Sequence, residues 1–417
     1  MMRTPAMVPA LCPLLLLLSG CAGEAPAASD VPQPFPHREA LARVEPVRLE
    51  ARPPVEGEPV AELRTADAPR FELGCADGAG CDLNGVSSVA VVGAHLVVAN
   101  SRSQDIRIHT LDGAHVRTLG ERGQGPGEYA AITWIRPRGG DAFDVYDPQL
   151  NRTTQLTLQG TVTGTLAVEE QGHLGPYHPP FDNGSQLVSM STSHDVNSIG
   201  MKVDSIGYFL LSAGGARTAL GWLGATPGYR YRVPGTHGAW ELTLPHVGEH
   251  QLAVSSRFFV VGDPASGRLE VWSQDGRPTR AVTLAAPAAT EFEVTFDDFL
   301  EHMERRHTGV SRDIIEEVWP EVDLPSQAAH FGHVLVDDEE RIWVAAYPAL
   351  DARHLDWRVL TTEGVLVARA RTPAGFRKAW VASGLFIGLW RDELDVEYVR
   401  AYDLPVEQLR NREPEAG

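Results

Sequence analysis

The chain has 417 residues, enough for two average domains or one large all-β domain, and its 43% hydrophobic and 22% charged residues are those of a soluble globular protein. Its formal charge is −19 and no run of Lys or Arg interrupts the acidity, which argues against nucleic acid or an anionic bilayer surface as a partner. Only two of the 36 basic residues are lysines, Lys202 and Lys378.

The leader "MMRTPAMVPALCPLLLLLSGCAG" has one Arg near its start and then an apolar stretch too short for a comfortable membrane span. It ends in Leu18-Ser19-Gly20-Cys21, which resembles the bacterial lipobox, where the chain is cut before a cysteine whose thiol carries diacylglycerol. Residues 1–20 are then a signal peptide and Cys21 the lipidated residue. Each buried methylene stabilises such an anchor by about 0.8 kcal/mol, so several acyl chains hold firmly. In a Gram-negative host, Ala22 after the cysteine resembles the sorting pattern of outer-membrane lipoproteins. The expected location is exported and lipid-anchored, with no other contact with the membrane.

Residues 21–64 are rich in Pro, Ala and Glu and read as a flexible stalk that holds the folded part off the membrane. Beyond them stand Cys75 and Cys81 in "GCADGAGCDLNG". In an oxidising compartment this pair is expected to form a disulfide, closing a short loop that contributes about 2 kcal/mol at best. A metal site would need two further thiol or imidazole ligands, and no second cysteine pair exists.

From residue 65 short β-type runs recur. "HLVVAN" precedes "IRIHTLDG", "FFVVGD" precedes "LEVWSQDG", and "IWVAAY" precedes "WRVLTTEG". Each unit is strand, loop, alternating strand, an Asp-Gly or Glu-Gly turn that supplies positive φ, and strand. Weaker copies at 143–160, 186–215 and 385–404 bring the total to six. Six small sheets closed into a ring predict an all-β, six-bladed β-propeller over 65–405; a sandwich would not explain the repeated unit. The strand near "PRFELG" (69–74) is expected to pair with "VEYVRAYDL" and fasten the ring, and 406–417 is expected to be a disordered tail.

One insertion, 295–325, is helical between blades 4 and 5. Thr295 and Asp298 stand at capping-box spacing before Phe299, Leu300 and Met303, and Ser311 is placed to cap a second helix ending at Pro320.

"LGERGQGPGEY" (119–129), "VDDEERIWVAAY", the strand around Trp357 and the closing "GLWRDELDVEYVRAYDL" together look like the bacterial six-bladed β-propeller lipoproteins related to NHL-repeat propellers. The resemblance covers residues 65–405 and implies the fold rather than an activity.

The chemistry-bearing motifs are weak. The glycine-rich 119–129 lacks the Lys of a Walker loop, and Pro126 removes an N–H where a phosphate cradle needs one, so it is expected to turn a corner between the first two blades. His246, Glu249 and His250 spell H-x-x-E-H, but Pro245 and Gly248 break the helix that zinc chemistry requires. His330 and His333 fall on opposite faces of a strand, and His302 and His307 do not share a helix face, so neither pair is expected to hold metal. The acidic run 337–340 is expected to be solvated, and Asp147 with Asn151 to brace a turn. No G-x-S-x-G elbow occurs, and no catalytic residue or resident cofactor is assigned.

The expected function is a binding or protein-interaction module of the cell envelope, taking a protein or small molecule on one face built from Arg152, Trp357, Arg391 and Asp392. The alternative is a calcium-dependent lactonase-type propeller, with Ca²⁺ held by residues such as Asp147, Asn151, Asp337 and Asp392. A third reading is an envelope scaffold, which a large apolar patch would mark.

Overall fold

A computed structural model describes residues 46–48, 60–74, 83–168, 178–191, 199–232, 239–245, 247–285, 294–306, 310–324, 328–347, 352–392 and 394–410. Cys21, Cys75, Cys81, His246 and His307 lie outside the described residues.

Six antiparallel sheets follow one another along the chain, as the repeats predict. Blade 1 comprises Val86–Val92, His95–Asn100, Asp105–Thr110 and His115–Leu119. Blade 2 runs from Trp134 to Ala167, blade 3 from Gln186 to Thr243, blade 4 from Gln251 to Thr283, and blade 5 from His333 to Pro373. Blade 6 takes Lys378–Ala382, Leu385–Arg391 and Glu397–Asp403 from the C-terminal end and borrows its outer strand, Phe71–Leu73, from the N-terminal end. Val399, Arg400 and Ala401 pair with Leu73, Glu72 and Phe71, so the ring is fastened by the two strands expected to do so. First strands of successive blades meet side by side: Ile135 N–H donates to Ser88 Oγ at 3.1 Å, and Lys378 Nζ donates to the Ser87 carbonyl at 3.1 Å.

One hairpin in each of the first five blades shares a local device, between third and fourth strands in blades 1, 2, 4 and 5 and between Gly200–Leu211 and Arg217–Arg232 in blade 3. Gly113, Gly160, Gly215, Gly276 and Gly364 all have φ between +73° and +88°, a region that costs glycine little. Three residues before each glycine stands a hydroxyl, on Thr110, Thr157, Ser212, Ser273 and Thr361, whose Oγ accepts the N–H four residues on. A sixth turn is missing because blade 6 takes its fourth strand from the other end of the chain.

The expected stalk is partly structured. Ala61–Arg64 runs parallel to Leu366–Pro373 as a fifth strand of blade 5, with Ala61 and Leu63 buried and Glu62 and Arg64 exposed. Pro46–Arg48 lies parallel to Pro278–Thr283 of blade 4. Both cover outer edges whose N–H and C=O groups would otherwise be unpaired. The C-terminal boundary moves as well: Glu407–Arg410 is a helical turn, and Val406 and Leu409 are buried against blade 6, so the ordered chain extends beyond 405.

The insertion between blades 4 and 5 forms α1 (Phe296–Arg306) and α2 (Arg312–Val318). The expected capping box is present, with Thr295 N–H donating to Asp298 Oδ2 and Asp298 N–H to Thr295 Oγ1. Ser311 occupies the cap position of α2 but makes no side-chain cap bond. Both helices pack on blade 3, where Phe299, Met303 and Ile315 meet Tyr229, Tyr231 and Leu242. Two blade 3 strands, Gly200–Leu211 and Arg217–Arg232, are long enough to reach that cover. Among the described residues no helix is long and apolar enough to cross a membrane.

Candidate functional site

The glycine-rich stretch 119–129 turns the corner between blades 1 and 2. Gly120 has φ +78°, and a Cβ there would meet the Tyr129 ring at 2.8 Å. Arg152 Nη1 donates to the Gln124 carbonyl at 2.9 Å, and Nη2 to the carbonyls of Gly125 and Glu128 at 2.6 and 2.7 Å. A phosphate loop converges N–H groups on an anion; this loop converges oxygens on a guanidinium. Arg152 is thereby a brace, and its fork faces the loop instead of a ligand.

Trp357 is 1% exposed, between blades 5 and 6, stacked on Phe376 at 6.2 Å, with its Nε1–H donating to Thr372 Oγ1 at 2.8 Å. It is a core residue, because an indole with a buried partner is more stable inside than on a wet face. Asp392 ends the second strand of blade 6 and accepts the N–H of Leu394 and of Val396, both at 2.9 Å, with the Tyr398 hydroxyl at 3.1 Å. Those backbone donors, the Val396 N–H foremost, hold its carboxyl below the usual range. It shapes a hairpin turn.

The other carboxylates considered for Ca²⁺ are similarly engaged. Asp147 accepts from the N–H groups of Ala130, Ala131, Gln149 and Leu150, with Asn151 at φ +46° completing the turn. Asp337 is 4% exposed and not solvated as expected: it accepts Arg341 Nε and Trp343 Nε1, each at 2.8 Å. Asp337 sits in a first-to-second strand turn, whereas Asp147 and Asp392 end second strands on the opposite face. Among the described residues no group of three or more His, Cys, Asp and Glu could hold a metal ion.

Residues 247–250 are irregular and lead directly into a strand, as expected for the H-x-x-E-H segment. His250 Nε2 meets the Tyr208 hydroxyl at 2.7 Å. His330 Nδ1 lies 2.9 Å from the Leu284 carbonyl, and His302 Nε2 lies 3.2 Å from that of Thr243.

Arg391 leads to a concavity that the sequence did not reveal. A recess of about 820 Å³ opens where blades 5, 6 and 1 meet, on the face carrying the second-to-third strand turns and the inter-blade connections. Arg102, Arg377, Lys378 and Arg391 bring four cations to it. Its one lining acid among the described residues, Glu397, is 5% exposed. Glu397 Oε1 accepts Arg391 Nε and Nη2 at 3.0 and 2.6 Å, and Oε2 accepts the Val86 N–H at 2.7 Å. Arg391 also pairs with Asp395 at 2.8 Å. Arg102 and Arg377 are exposed, and no carboxylate among the described residues pairs with either. Lys378 opens into the recess while protein encloses it on other sides; this burial draws its ammonium below the usual lysine range, and Glu397 opposes the shift in part.

A family model described as a 6-bladed beta-propeller, DUF5128, matches residues 79–136. The chain is a six-bladed β-propeller. No curated protein matches the sequence significantly. Among solved structures, a DUF4221 family member from Bacteroides vulgatus is 10% identical at a TM-score of 0.39, covering 83% of this chain and 99% of that chain. The calcium-binding protein regucalcin from Agrobacterium tumefaciens is 10% identical, at 0.38 over 83% of this chain and 97% of its own. Virginiamycin B lyase from Staphylococcus aureus is 9% identical, at 0.34 over 80% and 88%. Likeness at this level assigns no activity to this propeller.

Proposed function

We propose that the propeller is an exported, lipid-anchored binding module of the cell envelope whose ligand docks an anionic group in the recess between blades 5, 6 and 1. The supporting observation is local reversal of charge: in a chain of net −19, Arg102, Arg377 and Lys378 converge on one concavity whose lining carboxylate is engaged by Arg391 and Val86. A charged group in such a recess is held by charge-assisted hydrogen bonds, stronger than their neutral counterparts. Export and anchoring rest on the leader and on Cys21.

The two lysines supply the test. Pyridoxal phosphate, an anionic aldehyde, forms an imine with a lysine that borohydride reduces to a stable label. Lys202 is an internal control, its side chain 9% exposed and 2.5 Å from Glu241. At Lys378 the phosphate-bearing reagent is expected to label at least about tenfold faster than pyridoxal, with an excess of pyridoxine phosphate, which lacks the aldehyde, protecting. Equal rates for the two aldehydes, or no protection, would overturn the proposal.

A further inference from the structure

We infer that the recess takes an organic acid with an apolar body, its carboxylate or equivalent head at the cationic rim and its chain or ring on the floor beneath. This rests on reading the recess as an anion site and specifies the ligand class.

The chemistry of the walls is layered. Arg102, Arg377 and Lys378 are exposed and stand at the rim. The floor is apolar, formed by the buried side chains of Val86, Leu355, Phe376 and Leu389, with Ala352 alongside. The His333 ring stands 5.1 Å from that of Phe376 and extends this wall.

An inorganic ion would call for a different construction. Small oxyanions are held by converging backbone N–H groups or a helix N-terminus. Here four lining N–H groups already have acceptors: Val86 donates to Glu397, Ser101 to the Gly85 carbonyl, Arg102 to that of Asn84 and Arg377 to that of Leu389. No lining residue belongs to a helix. The cations available are long, adaptable side chains, and about 820 Å³ lies within the size range of sites that enclose a small organic molecule.

The experiment is calorimetric titration of the full chain with sodium phosphate, acetate, hexanoate, octanoate and neutral 1-octanol. Each methylene from acetate to octanoate is expected to tighten the dissociation constant about threefold to fourfold. Lys378→Met should weaken every acid. Ala352→Phe, which fills the floor, should weaken octanoate at least about tenfold and leave acetate unchanged, provided its thermal melt matches the parent. Phosphate binding as tightly as octanoate, with no dependence on chain length, overturns this inference and leaves the anion site standing. Octanol binding as tightly as octanoate overturns the anion site itself. Absence of binding by all five overturns both.

Discussion

Glu397 Oε2 accepts the Val86 backbone N–H at 2.7 Å across 311 residues of sequence. That bond joins the last blade to the first beside the Phe71–Leu73 strand that completes blade 6. The same carboxylate anchors Arg391 and forms part of the recess. Ring closure and the candidate site therefore share a residue.

Glu397→Gln keeps the shape but removes the charge that Arg391 and Val86 both use. It is expected to lower unfolding stability by about 2 kcal/mol, the scale of a hydrogen bond to a charged group. Urea denaturation measures this, and an unchanged midpoint would show that the seam does not depend on Glu397.

Arg152→Met releases three carbonyls of the corner loop at once. A loss of about 2–3 kcal/mol is expected, with faster amide exchange across 120–133. Arg152→Lys should rescue little, because an ammonium cannot reproduce the planar fork.

Acid should destabilise the propeller through His178 and His250. Burial lowers both to about 4 from an ordinary value of 6.5, so each stays neutral when folded and binds a proton more readily when unfolded. Their contribution is complete above pH about 6.5 and is lost as the pH falls toward about 4. His250→Asn should reduce the slope of stability against pH in that window by about one proton, as read from urea melts at stepped pH. An unchanged slope would mean that His250 is solvated.

Chelation should leave the fold untouched. Asp147, Asp337 and Asp392 have N–H donors where a cation would need their oxygens. The melting temperature with and without EDTA is expected to agree within about 1 °C; a larger drop would revive a structural Ca²⁺.

The elements legible in the sequence were those set by neighbours in the chain. The Asp-Gly and Glu-Gly turns, the Thr295–Asp298 cap and the Asp147–Asn151 turn are decided within five residues, by positive φ and short side-chain bonds. The long blade 3 strands were not legible, because Gly and Pro have low strand preference at Gly221, Gly224, Pro227 and Gly228; pairing with Gly200–Leu211 and cover from α1 and α2 override that local preference.

Sequence alone determined six repeats and the pairing that closes them, since alternating side chains and turn chemistry are properties of short segments. The tertiary structure alone decided what Trp357, Arg152 and Asp392 do, sending the first to the core and the others to the support of turns. It alone placed Arg102 beside Arg377 and Lys378, because those cations come from opposite ends of the repeat array and meet only where the ring shuts. A local code can specify each blade; a recess between the first blade and the last exists only after closure.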